Sequence, residues 1–228
     1  MISILIPIYN GIEFFNQSLM SVLLQEYKKW ELIVGINGIK ENELIANNIL
    51  LETLQHLNKN KGDYDITIKF YETKGKQNTL NEMVKDAKYN YIALLDVDDI
   101  WTCDKLYKQS MYLGLYDVIG TMISYFGNMR GSPNLPLGDI TNFDFFIGNP
   151  LINSSIIIKK EDAYWDPNCC IGLDDYDMWF RLKLVKNRCF YNLSDILCHH
   201  RVHPNSCFNN DNYKYVDELK SQWKKYNK

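Results

Sequence analysis

The stretch that most restricts how this chain can fold is Tyr91-Ile-Ala-Leu-Leu-Asp96-Val-Asp98-Asp99-Ile-Trp101. Residues 91–95 are uncharged and mostly β-forming, the pattern of a strand buried on both faces of a parallel sheet. The strand then stops in carboxylates. In open α/β sheets ligands gather beyond the carboxyl ends of the strands, and an acidic cluster there repels itself unless a cation or a proton offsets the charge. A divalent metal is the natural partner, because oxygen-rich clusters favour Mg or Mn and such ions commonly clamp a phosphate. The plainer reading is a solvated Asp turn at a strand end.

The surrounding pattern supports an α/β unit. Ile2 to Ile8 reads as a strand closed by the turn signal Pro7-Ile-Tyr9-Asn10-Gly11, and Ile12, Phe15, Leu19, Val22 and Leu23 recur at helical spacing, predicting a helix over 13–26. A strand over 30–36, a helix over 41–59, a strand over 66–71 and a loop entering a helix over 75–88 lead into the acidic strand. Four alternations of strand and helix predict a parallel sheet with right-handed crossovers. Past Trp101 the alternation weakens. A helix over 104–115 and a strand over 117–125 precede residues 127–141, rich in Gly, Pro and Asn, which read as a lid or a disordered insert. Then come a strand over 155–158, a helix over 174–185, a strand pair near 189–191 and 196–198, and a basic C-terminal helix. The fold class predicted is α/β: one domain over 1–228, with a mainly parallel mixed sheet flanked by helices, a nucleotide-binding half over about 1–101 and an acceptor-binding half over about 102–228.

With 228 residues and a net charge of -3 the chain can build a full core and has no basic stripe, so nucleic acid is not an expected partner. No apolar run reaches membrane-spanning length, and the first residues lack the basic flank of a signal peptide, so the expected location is cytoplasmic. The six cysteines are then expected as reduced, buried, small hydrophobes. Cys198-His-His-Arg-Val-His203 with Cys207 hints at zinc, but no CxxC pair accompanies it.

Six motifs stand in one order: Ser3-Ile-Leu-Ile-Pro-Ile-Tyr-Asn10, the approach Gln25-x-Tyr27-x-x-Trp30-Glu31 to the second strand, Gly75 with Asn81, Asp96-x-Asp98-Asp99, Asp174-Asp-Tyr-Asp-Met-Trp-Phe-Arg181, and Arg201-Val-His203-Pro-Asn-Ser206. Over nearly its whole length the chain resembles the family 2 glycosyltransferases, whose catalytic domain has the GT-A fold. The resemblance implies transfer of a sugar from a nucleotide-diphosphate sugar to an acceptor hydroxyl of a glycan, lipid-linked or protein acceptor, with Mn2+ or Mg2+ as cofactor. It implies that Pro7, Tyr9 and Asn37 hold base and ribose, with UDP the leading donor nucleotide, although the family's usual Asp is Asn37 here. Asn81 matches the family's donor-binding Asn, while the Ala-Arg before it is Thr79-Leu80, leaving Lys74 or Lys76 to replace that Arg. By the same resemblance Asp96 holds ribose or metal-bound water, Asp98 and His203 bind the metal, and Arg201 lies near the diphosphate. Asp175 is the general base of a single inverting displacement, and Asp174 faces the sugar or acceptor. Trp101 and Trp179 could give apolar platforms, Trp101 for the acceptor, whereas the stripe Met178, Leu182 and Val185 favours a core role for Trp179.

Three other readings compete. Leu94-Leu-Asp96-Val-Asp98-Asp99 also looks like the first motif of haloacid-dehalogenase phosphatases, but three strand-helix units precede it here. A nucleotidyltransferase shares sheet and metal but gives no reason for the Asp174-Asp175 and Arg201-x-His203 elements. A catalytically inactive nucleotide- or glycan-binding module is favoured by Asn37 and Leu80 and opposed by Asp96, Asp98 and Asp175.

Overall fold

The structure, a computed structural model, describes residues 1–170, 172–204, 206 and 214–227. Strands β1 (Ile2–Ile8) and β2 (Trp30–Asn37) are buried at every position, so helices must cover both faces of the sheet they form. β3 (Ile66–Tyr71) and β4 (Tyr91–Leu94) complete a parallel block in the order β3-β2-β1-β4. The helices between these strands are α1 (Phe15–Leu23), entered through a 3-10 turn at Ile12–Phe14, α2 (Asn42–His56) and α3 (Lys76–Asp86).

After the acidic turn come β5 (Ile100–Trp101), α4 (Lys105–Ser110), β6 (Val118–Gly127), β7 (Gly138–Asp139), β8 (Ile157–Lys159), α5 (Asp174–Leu184), β9 (Phe190–Val202) and α6 (Val216–Lys224). They extend the same sheet to β3-β2-β1-β4-β8-β6-β9-β5, with β7 paired to β9. β8 runs antiparallel to both β4 and β6, and β9 runs parallel to β6. β4, β6 and β9 therefore point the same way. This topology carries the turn after β4 and residues 201–203 to one edge.

Alternate side chains of β1 and β4 feed two cores. Ile4, Ile6 and Ala93 pack with Phe15, Leu19 and Leu50 on one face, while Leu5, Ile92 and Leu94 pack with Leu80, Met83 and Trp179 on the other. Trp179 is fully buried, as its stripe predicts.

Several element boundaries depart from the sequence reading for local reasons. α4 stops at Ser110, and the chain turns through Gly114, whose φ of 85° an L side chain rarely adopts. The expected strand pair after α5 is one strand, β9; its polar Ser194 and Asp195 lie exposed where the register against β6 shifts, a bulge and not a turn. Ser155 belongs to a 3-10 turn at Asn153–Ser155, so β8 starts later than predicted. α6 is acidic in its first turn, with Lys220 and Lys224 following. Residues 127–141 are tied down more than their composition suggested: Leu135 and Ile140 are buried, β7 pairs with β9, and Asn192 donates to the Pro136 carbonyl at 2.9 Å.

The cysteine expectation needs correction. Of the described thiols Cys198 is buried, whereas Cys103 and Cys189 are exposed and Cys169 and Cys170 half-buried, because they sit at turns and element ends. Cys207 lies outside the described residues. Among the described residues no helix is long and apolar enough to cross a membrane.

Candidate active site

Beyond Leu95 the chain leaves the sheet in a turn closed by the Asp99 N–H on the Asp96 carbonyl at 3.0 Å. Asp99 is fully buried and anchors this turn to β9: one carboxylate oxygen accepts the Arg201 backbone N–H at 2.8 Å and the other lies 3.0 Å from His200 Nδ1. Burial pulls the His200 pKa down, but the Asp99 charge and hydrogen bond override it and push it up to about 9. Asp99 thus favours the protonated His200 imidazole. Asp99 therefore braces the turn, while the Asp96 and Asp98 carboxylates stay partly exposed.

Asp98 Oδ2 lies 3.0 Å from His203 Nε2. Burial raises the Asp98 pKa, and the neighbouring Asp99 and Asp96 charges add to the rise, partly offset by His203. Asp96 is treated differently. Burial also pushes its pKa up, but Lys76 Nζ at 2.7 Å outweighs that and lowers it. The Ser154 hydroxyl lies 3.3 Å from the Asp96 carboxylate and accepts the Asp96 backbone N–H at 3.1 Å, fixing the start of the turn.

Arg201 was expected beside a diphosphate. In the structure it holds the turn: Nε donates to the Asp98 carbonyl at 2.8 Å, another guanidinium nitrogen donates to Gln17, and its Cζ sits 4.6 Å from the Phe14 ring centre and 4.2 Å from the Phe126 ring centre. Trp101, expected as an acceptor platform, is buried. Its ring is 3% exposed with Lys105 Nζ 4.0 Å over one face, and its indole N–H donates to the Ser154 carbonyl at 2.7 Å. Trp101 supports Ser154, and through it Asp96.

At the neighbouring strand ends, Pro7 is buried opposite Gly35, and Tyr9 is 58% exposed. The Tyr9 ring covers Gly38, at φ 88°, where an added Cβ would come within 2.6 Å of a ring carbon. Asn37 is buried, and its side-chain amide donates to the Tyr71 carbonyl at 3.1 Å and to the Thr73 carbonyl. A carboxylate could not donate to these carbonyls, which explains physically why an amide stands here. Asn81 is engaged by the chain itself. Its amide pairs with the Trp165 backbone, donating to the carbonyl at 2.8 Å and accepting the N–H at 3.0 Å, so it ties α3 to a loop 84 residues away.

Asp174 and Asp175 open α5 as predicted. Asp174 is buried and accepts the Gly172 N–H at 2.9 Å, which shapes the entry loop. Asp175 accepts the Tyr176 N–H at 2.7 Å and the Asn149 side-chain amide at 3.2 Å. Burial and then the Asp174 charge push its pKa up to about 7, while the Lys76 charge acts in the opposite direction. Lys76 therefore acts electrostatically on both the β4 turn and the start of α5. A carboxylate titrating near neutrality suits proton abstraction from a hydroxyl.

Among the described residues no three His, Cys, Asp or Glu side chains converge as a ready metal cage. Asp98 and His203 nevertheless offer an oxygen and a nitrogen 3.0 Å apart. The raised Asp98 pKa marks a charge that a divalent cation would relieve. Mg and Mn commonly take few protein donors and fill their remaining positions with phosphate oxygens and water, so the pair fits such an ion. Lys76 was foreseen only as one of two substitutes for a missing Arg. The roles of Asp99, His200, Asn149 and Ser154 carried no signal of their own in the sequence, except that the first two neighbour the acidic and Arg-x-His motifs.

Comparison with known proteins agrees with this geometry. Residues 3–171 match the family model described as Glycosyl transferase family 2. The chain is 28% identical over 219 residues to the O-antigen biosynthesis glycosyltransferase WbnJ of Escherichia coli, covering 90% of this chain and 81% of that protein. It is 26% identical over 257 residues to the E. coli UDP-Glc:alpha-D-GlcNAc-diphosphoundecaprenol beta-1,3-glucosyltransferase WfgD, covering 98% and 84%. Among solved structures, S. aureus TarS 1-349 in complex with UDP-GlcNAc aligns with a TM-score of 0.74 at 16% identity, covering 97% of this chain and 66% of that one. Mannosyltransferase PcManGT from Pyrobaculum calidifontis, in complex with GDP-Man and Mn2+, aligns at 0.66 and 14% identity, covering 90% and 58%. The chain thus spans two-thirds or less of these solved chains. At such identities the likeness establishes the fold, which is GT-A.

Proposed function

This chain belongs to glycosyl transferase family 2, and from that premise we propose that it transfers a sugar from a UDP-sugar to an acceptor hydroxyl with inversion, in the assembly of a bacterial-type surface glycan. The observation that carries the reading is Asp175, a carboxylate with its pKa near 7 at the start of α5, set across Lys76 from the Asp96 and Asp98 turn. Asp175 takes the acceptor hydroxyl's proton as that oxygen attacks the sugar, and Asn149 keeps the carboxylate aimed. Asp98 and His203 would hold a Mn or Mg ion, whose charge would offset the one building on the departing diphosphate. Asp96 serves the donor's ribose hydroxyls.

The base is read by Asn37. Its N–H groups are spent on backbone carbonyls, so its oxygen is the atom left to accept an N–H, as uracil N3 can provide. The WfgD name, which specifies a UDP-Glc donor and a lipid-diphosphate-linked sugar acceptor, supports a UDP donor and a lipid-linked acceptor. The test is turnover of a panel of UDP- and GDP-sugars with Mn against lipid-diphosphate-linked and free saccharide acceptors. Release of UDP that depends on an acceptor supports the reading; nucleotide binding without turnover of any donor in the panel favours the inactive binding module.

A further inference from the structure

Lys76 is the first residue of α3, and it forms with Asp96 an ion pair whose side chains are 28% and 22% exposed. Leu80, one helical turn later, is fully buried in the core, so the cation missing from that position cannot be supplied there. Arg201 and His200 are spent on the turn's backbone and on Asp99. A nucleoside diphosphate entering beside Asp96 and Asp98 therefore meets Lys76 as a cation on a flexible stem, already paired with the carboxylate that lies first in the turn.

We propose that Lys76 exchanges charge partners when the donor binds. In the free protein it neutralises Asp96; with donor present its ammonium moves to the diphosphate oxygens and leaves the Asp96 carboxylate to the ribose hydroxyls. The proposal rests on the nucleotide-sugar reading above. Separating a largely buried ion pair strands both charges unless each finds a new partner at once. A nucleoside diphosphate brings both, an anion for the ammonium and hydroxyl donors for the carboxylate, and both new contacts are charge-assisted. A nucleoside without phosphates brings only the second. The exchange thus couples recognition of ribose to recognition of phosphate, and selects donors that carry both.

The experiment is calorimetry of the wild type, Lys76→Gln and Lys76→Arg with UDP and with uridine, each in Mn, with melting temperatures as a check on folding. Lys76→Gln should weaken UDP binding about 10- to 100-fold, the worth of a charged hydrogen bond, and should not weaken uridine binding. Lys76→Arg should keep most of the UDP affinity. UDP affinity unchanged in Lys76→Gln, or UDP and uridine weakened equally, overturns the exchange while leaving the donor reading intact. A wild type that binds neither UDP nor GDP overturns the donor reading and the exchange with it.

Discussion

His203 Nε2 lies 3.0 Å from Asp98 Oδ2, joining residues 105 positions apart in sequence. The approach exists because β4 and β9 end at the same edge of the sheet and because Arg201 and Asp99 tie the two ends together. If this pair holds a divalent cation, Asp98→Asn should remove the Mn dependence of UDP binding without lowering the melting temperature. His203→Ala should weaken Mn affinity by about 10- to 100-fold, the effect of losing one contact to a charge. Equal UDP affinity of the wild type in Mn and in a chelator would contradict this.

Asn81 braces the fold through the Trp165 backbone. Asn81→Ala leaves the Trp165 carbonyl and N–H without partners and should cost about 1–3 kcal/mol of stability by urea unfolding. UDP affinity below the unfolding transition should be unchanged. A variant of normal stability that binds UDP poorly would return Asn81 to the donor site.

Asn37→Asp tests the amide at the end of β2. The carboxylate would face the Tyr71 and Thr73 carbonyls with no proton to donate, so the variant should lose about 1–3 kcal/mol and unfold at lower urea. Its stability should recover partly as pH falls and the carboxyl protonates. Wild-type stability at neutral pH would show that the amide's donors are dispensable.

These corrections mark where sequence reading ends. β1, β2 and β4 were legible because a strand buried on both faces needs an unbroken apolar run, and the Asp96–Asp98 turn because carboxylates at a strand end have few uses. Asn81, Arg201 and Trp101 were legible as residue types, but the backbone groups they hold were not. Each can serve a ligand or a distant backbone group, and the choice depends on Trp165, Asp98 and Ser154 arriving from elsewhere in the chain. The bulge in β9 looks in sequence like a break between two strands because Ser194 and Asp195 interrupt the alternation in the same way that a turn does.

Asp175 sets a pH dependence of two kinds. Because the base must be ionised, kcat/KM should rise with pH along a one-proton limb centred near 7. Stability should move the opposite way. The folded-state pKa lies above the unfolded value, so the native state binds the extra proton; the stabilising contribution is complete below the unfolded value and disappears as pH rises through about 7. Asp175→Asn should therefore gain stability relative to wild type between about pH 5 and pH 8. A flat activity profile over that range would remove Asp175 as the titrating base.

The most direct measurement is proton NMR of the product formed from a UDP-sugar by the wild type and by Asp175→Asn, with UDP affinity measured in parallel. The anomeric configuration of the transferred sugar should be inverted, and Asp175→Asn should lower turnover by at least about 10² while binding UDP as the wild type does. Retention of the donor's configuration, or normal turnover by Asp175→Asn, would contradict this.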